Sequence, residues 1–213
     1  MLKKLKTNKL ELYTIIPFLT IILIITIKII KGKELLIDKL GHKLLVEYLR
    51  TPNITTFMKT ITKLSDTSYI IIIAIILTIL FLFKMKKKNI AIAIPCNLAF
   101  VTLFNQTLKT IFQRGRPIGY NLIEIGGYSF PSGHAMVSMG FYGLLIIIIN
   151  HQVTNNLIKK ILIALNIILI LLIGISRVYL GVHYLSDIIV GYLTAIIYLI
   201  LLAKILKKYK IIP

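Results

Sequence analysis

Acidic residues are scarce in this chain: seven Asp and Glu stand against 26 Lys and Arg, a formal net charge of +19. Charged residues of either sign reach only 15%, while apolar types make up 57% and the mean hydropathy is +0.89. An ordinary soluble domain carries about 25% charged and about 45–50% apolar residues. The shortage of charge excludes a disordered chain and a coiled coil, and it argues against a soluble enzyme. The single cysteine, Cys96, excludes an internal disulfide. Placed after Pro95 in an apolar run, it reads as a small packing residue. The sequence offers no carboxylate cluster of the kind that holds magnesium. Internal repeats and low-complexity linkers are also missing, so residues 1–213 read as one integral-membrane domain.

What the sequence does have is six apolar runs, at residues 12–30, 68–83, 90–108, 135–149, 161–175 and 188–203. Each is near or slightly under the roughly 20 residues that cross a bilayer as a helix. None alternates polar with apolar residues, which excludes a β-barrel. The expected fold is all-α: a polytopic membrane protein with six transmembrane helices. Pro17 is tolerated in the first span, where it can kink the helix. That run is too long for a signal peptide and no small-residue cleavage site follows it, so it reads as an uncleaved span.

The basic residues sit mainly in short clusters between the runs, which argues for membrane surface and against nucleic acid. Lys3, Lys4, Lys6 and Lys9, then Lys84, Lys86, Lys87 and Lys88, then Lys159 and Lys160, and finally Lys204, Lys207, Lys208 and Lys210 all fall on one side of a six-span chain. Glu11 is the one acid among them. This asymmetry predicts a cell-membrane protein with both termini cytoplasmic and the remaining loops outside. In the longest gap, residues 31–67, Leu35, Leu36, Leu40, Leu44 and Leu45 recur at roughly helical spacing, with Lys39 and Lys43 between them. This spacing predicts an amphipathic helix on the outer membrane surface, either a packed connector or a lid.

Three polar segments interrupt the apolar runs, all in gaps on the outer side. They are Lys109-x6-Arg116-Pro117, Pro131-Ser132-Gly133-His134, and Ser176-Arg177-x5-His183-x3-Asp187. Lys109, Arg116 and Arg177 suit phosphate oxygens, Arg through its bidentate fork and Lys as a point charge. Ser132 and Gly133 lead into the fourth span, where free N–H groups of a helix N-terminus favour an anion. His183 and Asp187 share a face if the sixth span begins there, and the carboxylate would fix the imidazole tautomer for attack. His134 is a second acid–base group. Arg114 lies near this cradle, and the sequence leaves its role open. His42 and His151 read as loop residues.

These three segments, spanning residues 109–187, resemble the signature of the type 2 phosphatidic acid phosphatase and haloperoxidase superfamily, with every signature position present in order. The small size looks like the bacterial membrane branch, which includes phosphatidylglycerophosphatase B-like and undecaprenyl-diphosphatase-like enzymes. The resemblance implies that His183 is the nucleophile forming a phosphohistidine and that Asp187 orients it. His134 would protonate the leaving oxygen and then activate water, while Lys109, Arg116, Ser132, Gly133 and Arg177 hold the phosphoryl oxygens. It implies no metal and no cofactor. The expected substrate is a membrane phospholipid or polyprenyl phosphate or diphosphate, such as undecaprenyl diphosphate or phosphatidylglycerophosphate, hydrolysed at the outer leaflet. A broad phosphatidic acid phosphatase and a non-catalytic lipid-phosphate-binding membrane protein are the alternatives.

Overall fold

The computed structural model describes residues 9–212; Lys3, Lys4 and Lys6 of the N-terminal basic cluster lie outside them. The described residues form eight helices in the order α1 (Lys9–Ile30), α2 (Leu36–His42), α3 (Pro52–Lys63), α4 (Thr67–Ile79), α5 (Lys88–Phe112), α6 (Gly133–Gln152), α7 (Asn156–Tyr179) and α8 (Leu185–Lys208). A π-helical stretch extends α2 over Lys43–Tyr48, and another extends α4 over Leu80–Lys84. Six of the helices are long and apolar enough to cross a membrane: α1, α4 with its extension, α5, α6, α7 and α8. They match the six expected spans, and all but α1, which ends with its run at Ile30, extend past them at both ends. The last turn of a span sits at the polar boundary and does not need apolar side chains. For that reason His151, expected in a loop, is helical, in the last turn of α6; His42, also expected in a loop, lies within the helix of the first gap, where α2 passes into its π-helical extension. α1 continues unbroken through Pro17.

α6 is the centre of the bundle. It packs against α5, α7 and α8, while α4 lies on α5 and α1 lies on α8. Phe141 and Leu144 of α6 meet Ile94 of α5, Ile170 and Ile173 of α7 and Leu199 of α8 in the largest buried cluster. Its inner face is tight: a Cβ on Gly140 or Gly143 would collide with Val101 or Leu199. The outward faces carry Ile72 and Ile76 on α4 and Ile161, Leu165 and Ile168 on α7, exposed as lipid-facing side chains are. Cys96, expected as a packing residue, is exposed too, because α5 turns Ile94 and Asn97 inward instead.

The gap between the first two spans forms α2 and α3. The expected amphipathic helix is present, but the leucines divide: Leu36, Leu40 and Leu44 point outward, while Leu35, Val46 and the carboxylate of Asp38 are buried. α2 leans on the start of α8, and α3 packs along α7. Arg50, between them, donates to the carbonyls of Tyr179 and Tyr120 and fixes this corner.

Candidate active site

One end of the bundle gathers the polar segments. Lys109 lies in the last turn of α5, Arg177 in the last turn of α7, and Ser132 caps the N-terminus of α6. The helix dipole favours cations at the C-termini and an anion at the N-terminus. Gln113 ends α5 in the left-handed region, at φ 46°, so Arg114 and Arg116 turn back over the bundle. His183 sits in the short link between α7 and α8, and Asp187 in the first turn of α8.

His183 and Asp187 do meet, though not on one helix face. α8 begins at Leu185, after the histidine. The Asp187 carboxylate reaches back over the helix N-terminus, where its Oδ2 accepts from the Tyr184 backbone N–H at 3.0 Å and contacts His183 Nδ1 at 3.2 Å. Arg116 Nη1 stands 3.1 Å from His183 Nε2. A guanidinium can only donate, so Nε2 accepts and the proton belongs on Nδ1, facing the carboxylate. Burial, then the charges of Arg116, Arg177 and Lys109 and the nearby His134, hold the His183 pKa well below the usual imidazole range. The ring is therefore neutral, with its lone pair on the side of the cations.

Those cations are arranged around a small volume. Arg177 is 1% exposed, and its Nη1 donates to Thr62 Oγ1 at 2.7 Å. Its Nε and Nη2 are buried and have no hydrogen-bond partner among the described residues. Unsatisfied buried donors on a cation are costly and call for an anion. Lys109 Nζ donates to the Tyr128 carbonyl and, at 3.4 Å, to that of Ser129. Arg116 is braced by the carbonyls of Gly126, Gly127, Tyr128 and Val182. A Cβ on Gly133 would stand 3.0 Å from Asn105 Oδ1 and 3.8 Å from Lys109 Cε, so glycine lets α6 start against the lysine. Ser132 is also a structural cap: its Oγ accepts from Ala135 N at 3.4 Å, and its N–H donates to the Asp187 carbonyl at 3.1 Å.

Four further residues join the site that sequence reasoning missed or left open. Asp66, just before α4, holds His134 Nε2 at 2.8 Å through its Oδ1. Thr62 anchors Arg177. Arg114 bonds Asp187 Oδ1 at 2.7 Å and Asp38 Oδ2 at 2.8 Å. The usable signal was the scarcity of acids: Asp38 and Asp66 are two of only seven, both in the gap on the site's side of the chain.

Two cavities open from the site. One, of about 760 Å³, is polar and includes His183, Arg114, Arg116, Asp38 and Tyr184. The other, of about 700 Å³, is a mostly apolar cleft between α4 and α5, with His134 and Gly133 at one end and Ile71, Ile75 and Leu103 along its walls. From Thr67 to Ile79 this cleft follows α4 for about 18 Å at 1.5 Å per residue.

Known proteins are similar to this chain in sequence and fold. Residues 90–211 match the PAP2 superfamily. Phosphatidylglycerophosphatase B of Bacillus subtilis (strain 168) is 32% identical over 109 residues, 51% of this chain; the match spans about half of that relative's length, 54%. The crystal structure of a transmembrane PAP2-type phosphatidylglycerolphosphate phosphatase from Bacillus subtilis superposes with a TM-score of 0.80 at 26% identity, covering 92% of this chain and 97% of that one. Aquifex aeolicus LpxE shares the fold, with a TM-score of 0.60 over 81% of this chain and 94% of that one at 24% identity. With the family match covering more than half of its length, this multi-pass membrane chain belongs to the PAP2 superfamily.

Proposed function

We propose that the protein is a lipid phosphatase that removes the terminal phosphate of a membrane lipid phosphate or diphosphate through a phosphohistidine on His183. The observation that carries this reading is the neutral, Asp187-paired imidazole of His183 facing the buried, unpartnered donors of Arg177 and the charges of Lys109 and Arg116. A phosphoryl group bound there accepts hydrogen bonds from Arg177, Arg116, Lys109, Ser132 and the Gly133 N–H, which balance its developing charge. Arg116 exchanges Nε2 for a phosphoryl oxygen. His183 Nε2 then attacks phosphorus as the phosphorus–oxygen bond to the lipid breaks, and His134 gives that oxygen its proton. In the second step His134 takes a proton from water, the hydroxide attacks phosphorus, and the phosphorus–nitrogen bond breaks to release inorganic phosphate. Asp66 orients His134 by holding its Nε2. The charge on the cradle residues makes the steps independent of a divalent metal.

The position of His134 at the apolar cleft supports a lipid leaving group: the protonated oxygen would carry a hydrocarbon chain lying between α4 and α5. The basic clusters at the opposite membrane face support an active site on the extracellular side. Phosphatidylglycerophosphate and undecaprenyl diphosphate are the substrates we favour, the first by likeness to the Bacillus subtilis enzyme. The test is phosphate release by purified protein in detergent, with EDTA, from these two lipids and phosphatidic acid. Release from either favoured lipid in EDTA is expected. Preference for phosphatidic acid would favour a broad phosphatase, and binding without release would leave a lipid-binding protein.

A further inference from the structure

The lining of the polar cavity includes an ion-pair network that the phosphatase chemistry does not use. The Asp187 carboxylate has two oxygens, and His183 takes only Oδ2. Oδ1 is held by Arg114 Nη1 at 2.7 Å. The same Nη1 reaches Ser186 Oγ at 2.7 Å, and Nη2 reaches Asp38 Oδ2 at 2.8 Å. Asp38 is itself pinned to the start of α8, accepting from the Ser186 backbone N–H at 2.8 Å and its hydroxyl at 2.9 Å. The Tyr184 ring lies 3.9 Å from the guanidinium carbon. None of this is a surface ion pair: the side chains of Asp38, Arg114 and Asp187 are 6%, 16% and 0% exposed. α2 also approaches α8 closely, since a Cβ on Gly41 would meet Leu185 Cβ at 2.9 Å.

We propose that Asp38 and Arg114 are positioning residues for the His183–Asp187 pair: the helix on the membrane surface inserts one buried carboxylate that locks the Arg114 fork onto Asp187 Oδ1, leaving Oδ2 aimed at the imidazole. A carboxylate with a free Oδ1 can rotate about its bond to the chain and present either oxygen; one with Oδ1 clamped cannot. The charges matter as well. His183 is faced by Arg116 from the loop after α5, Lys109 from α5, Arg177 from α7, His134 from α6 and Asp187 from α8. Arg114 is faced by Asp38 from α2, by Asp187 and by Tyr184. Asp38 therefore offsets Arg114, and Asp187 keeps enough negative character to draw the Nδ1 proton. The outward face of α2, with Leu36, Leu40 and Leu44, seats the same helix against lipid.

This inference rests on the phosphohistidine reading, and the test separates the two. Phosphate release in detergent micelles, from whichever of phosphatidylglycerophosphate and undecaprenyl diphosphate the wild-type protein hydrolyses faster, is followed against pH for the full-length protein and four variants. Asp38→Asn is expected to lower kcat by up to about 100-fold, the scale of a misplaced catalytic group, with KM changed less than about twofold. Its acidic limb in kcat/KM moves to lower pH, because the charge of Arg114 is no longer offset. Arg114→Gln lowers kcat at least as much, and its limb moves to higher pH, because a cation beside the pair is gone. The double variant combines low kcat with a limb returned toward the wild-type position, since one charge of each sign has been removed. Arg114→Lys restores the limb but only part of kcat. Thermal unfolding checks that each variant folds; if Asp38→Asn does not, Asp38→Glu replaces it, with an unmoved limb and a lowered kcat. Unchanged kcat, or a loss in the charge-changing variants with limbs that stay put or move together, overturns the proposal alone. A wild-type protein that releases no phosphate overturns the phosphohistidine reading and this inference with it.

Discussion

At the level of single residues, the two histidines divide the work in the proposed mechanism because their surroundings differ. His183 is fully enclosed among cations, which favours its neutral form. Attack requires that neutral form, so rate is lost only as pH falls through the lowered pKa. In kcat/KM, which reports the free enzyme, the acidic limb should lie below the ordinary imidazole value of about 6.5; a limb above that value would contradict the site described. His183→Ala should abolish turnover of every substrate. His134 stands beside Asp66 at the mouth of the apolar cleft, and its removal should depend on the leaving group. A lipid alkoxide leaves badly without a proton, whereas a diphosphate expels phosphate, whose second pKa is about 6. We expect His134→Ala to retain more of its first step on a diphosphate or an aryl phosphate than on phosphatidic acid. Its phosphoenzyme should accumulate as an acid-labile, base-stable label on His183. Equal loss on all leaving groups with no trapped label would reverse the roles assigned to the two rings. Lys109, Arg116, Arg177, His134, His183 and Asp187 were all legible in the sequence, because motif spacing fixes them relative to helix ends. Asp38, Thr62 and Asp66 were not, since each reaches the site from a helix or corner far away in the chain and only packing sets the distance.

At the level of elements, α4 and α5 do two things at once. Their facing sides pack, and toward Thr102 and Leu103 they part into the apolar cleft that ends at His134. A chain lying there is felt by a lipid substrate and not by a short one. Thr102 lines the cleft and is exposed to it. Thr102→Trp should lower kcat/KM for a long-chain lipid phosphate by roughly tenfold, the scale of about 1.4 kcal/mol of lost binding, and leave hydrolysis of p-nitrophenyl phosphate within about twofold. Equal effects on both substrates would place the hydrocarbon chain elsewhere. The helices themselves were legible as apolar runs. The cleft between two of them was not, because hydropathy reports that a face meets lipid or protein and is silent on where two such faces separate.

At the level of the whole molecule, the bundle is polarised. The polar segments and the cavity beside His183 lie at one end, and Lys86, Lys87, Lys88, Lys207 and Lys210 gather around a cavity at the other. If the basic end is cytoplasmic, a cysteine introduced at residues 115–125 of a Cys96→Ala protein should label from outside intact cells. One introduced at residues 86–89 should label only after permeabilisation. The opposite labelling pattern would turn the molecule over and move the chemistry to the cytoplasm.

The sequence by itself determined the number of spans, their all-helical nature and the residues of the proposed phosphate cradle. Those features depend on transfer energy along the chain and on short spacings next to helix ends. Tertiary structure alone decided which of the scarce carboxylates serve the site. It placed Asp66 on His134 and Asp38 on Arg114, and it set His183 before α8, so that Asp187 meets it as a cap of the helix and not across a helical face. An ion pair between residues 76 positions apart leaves no periodic trace in a sequence, because its distance is the sum of every packing contact between them.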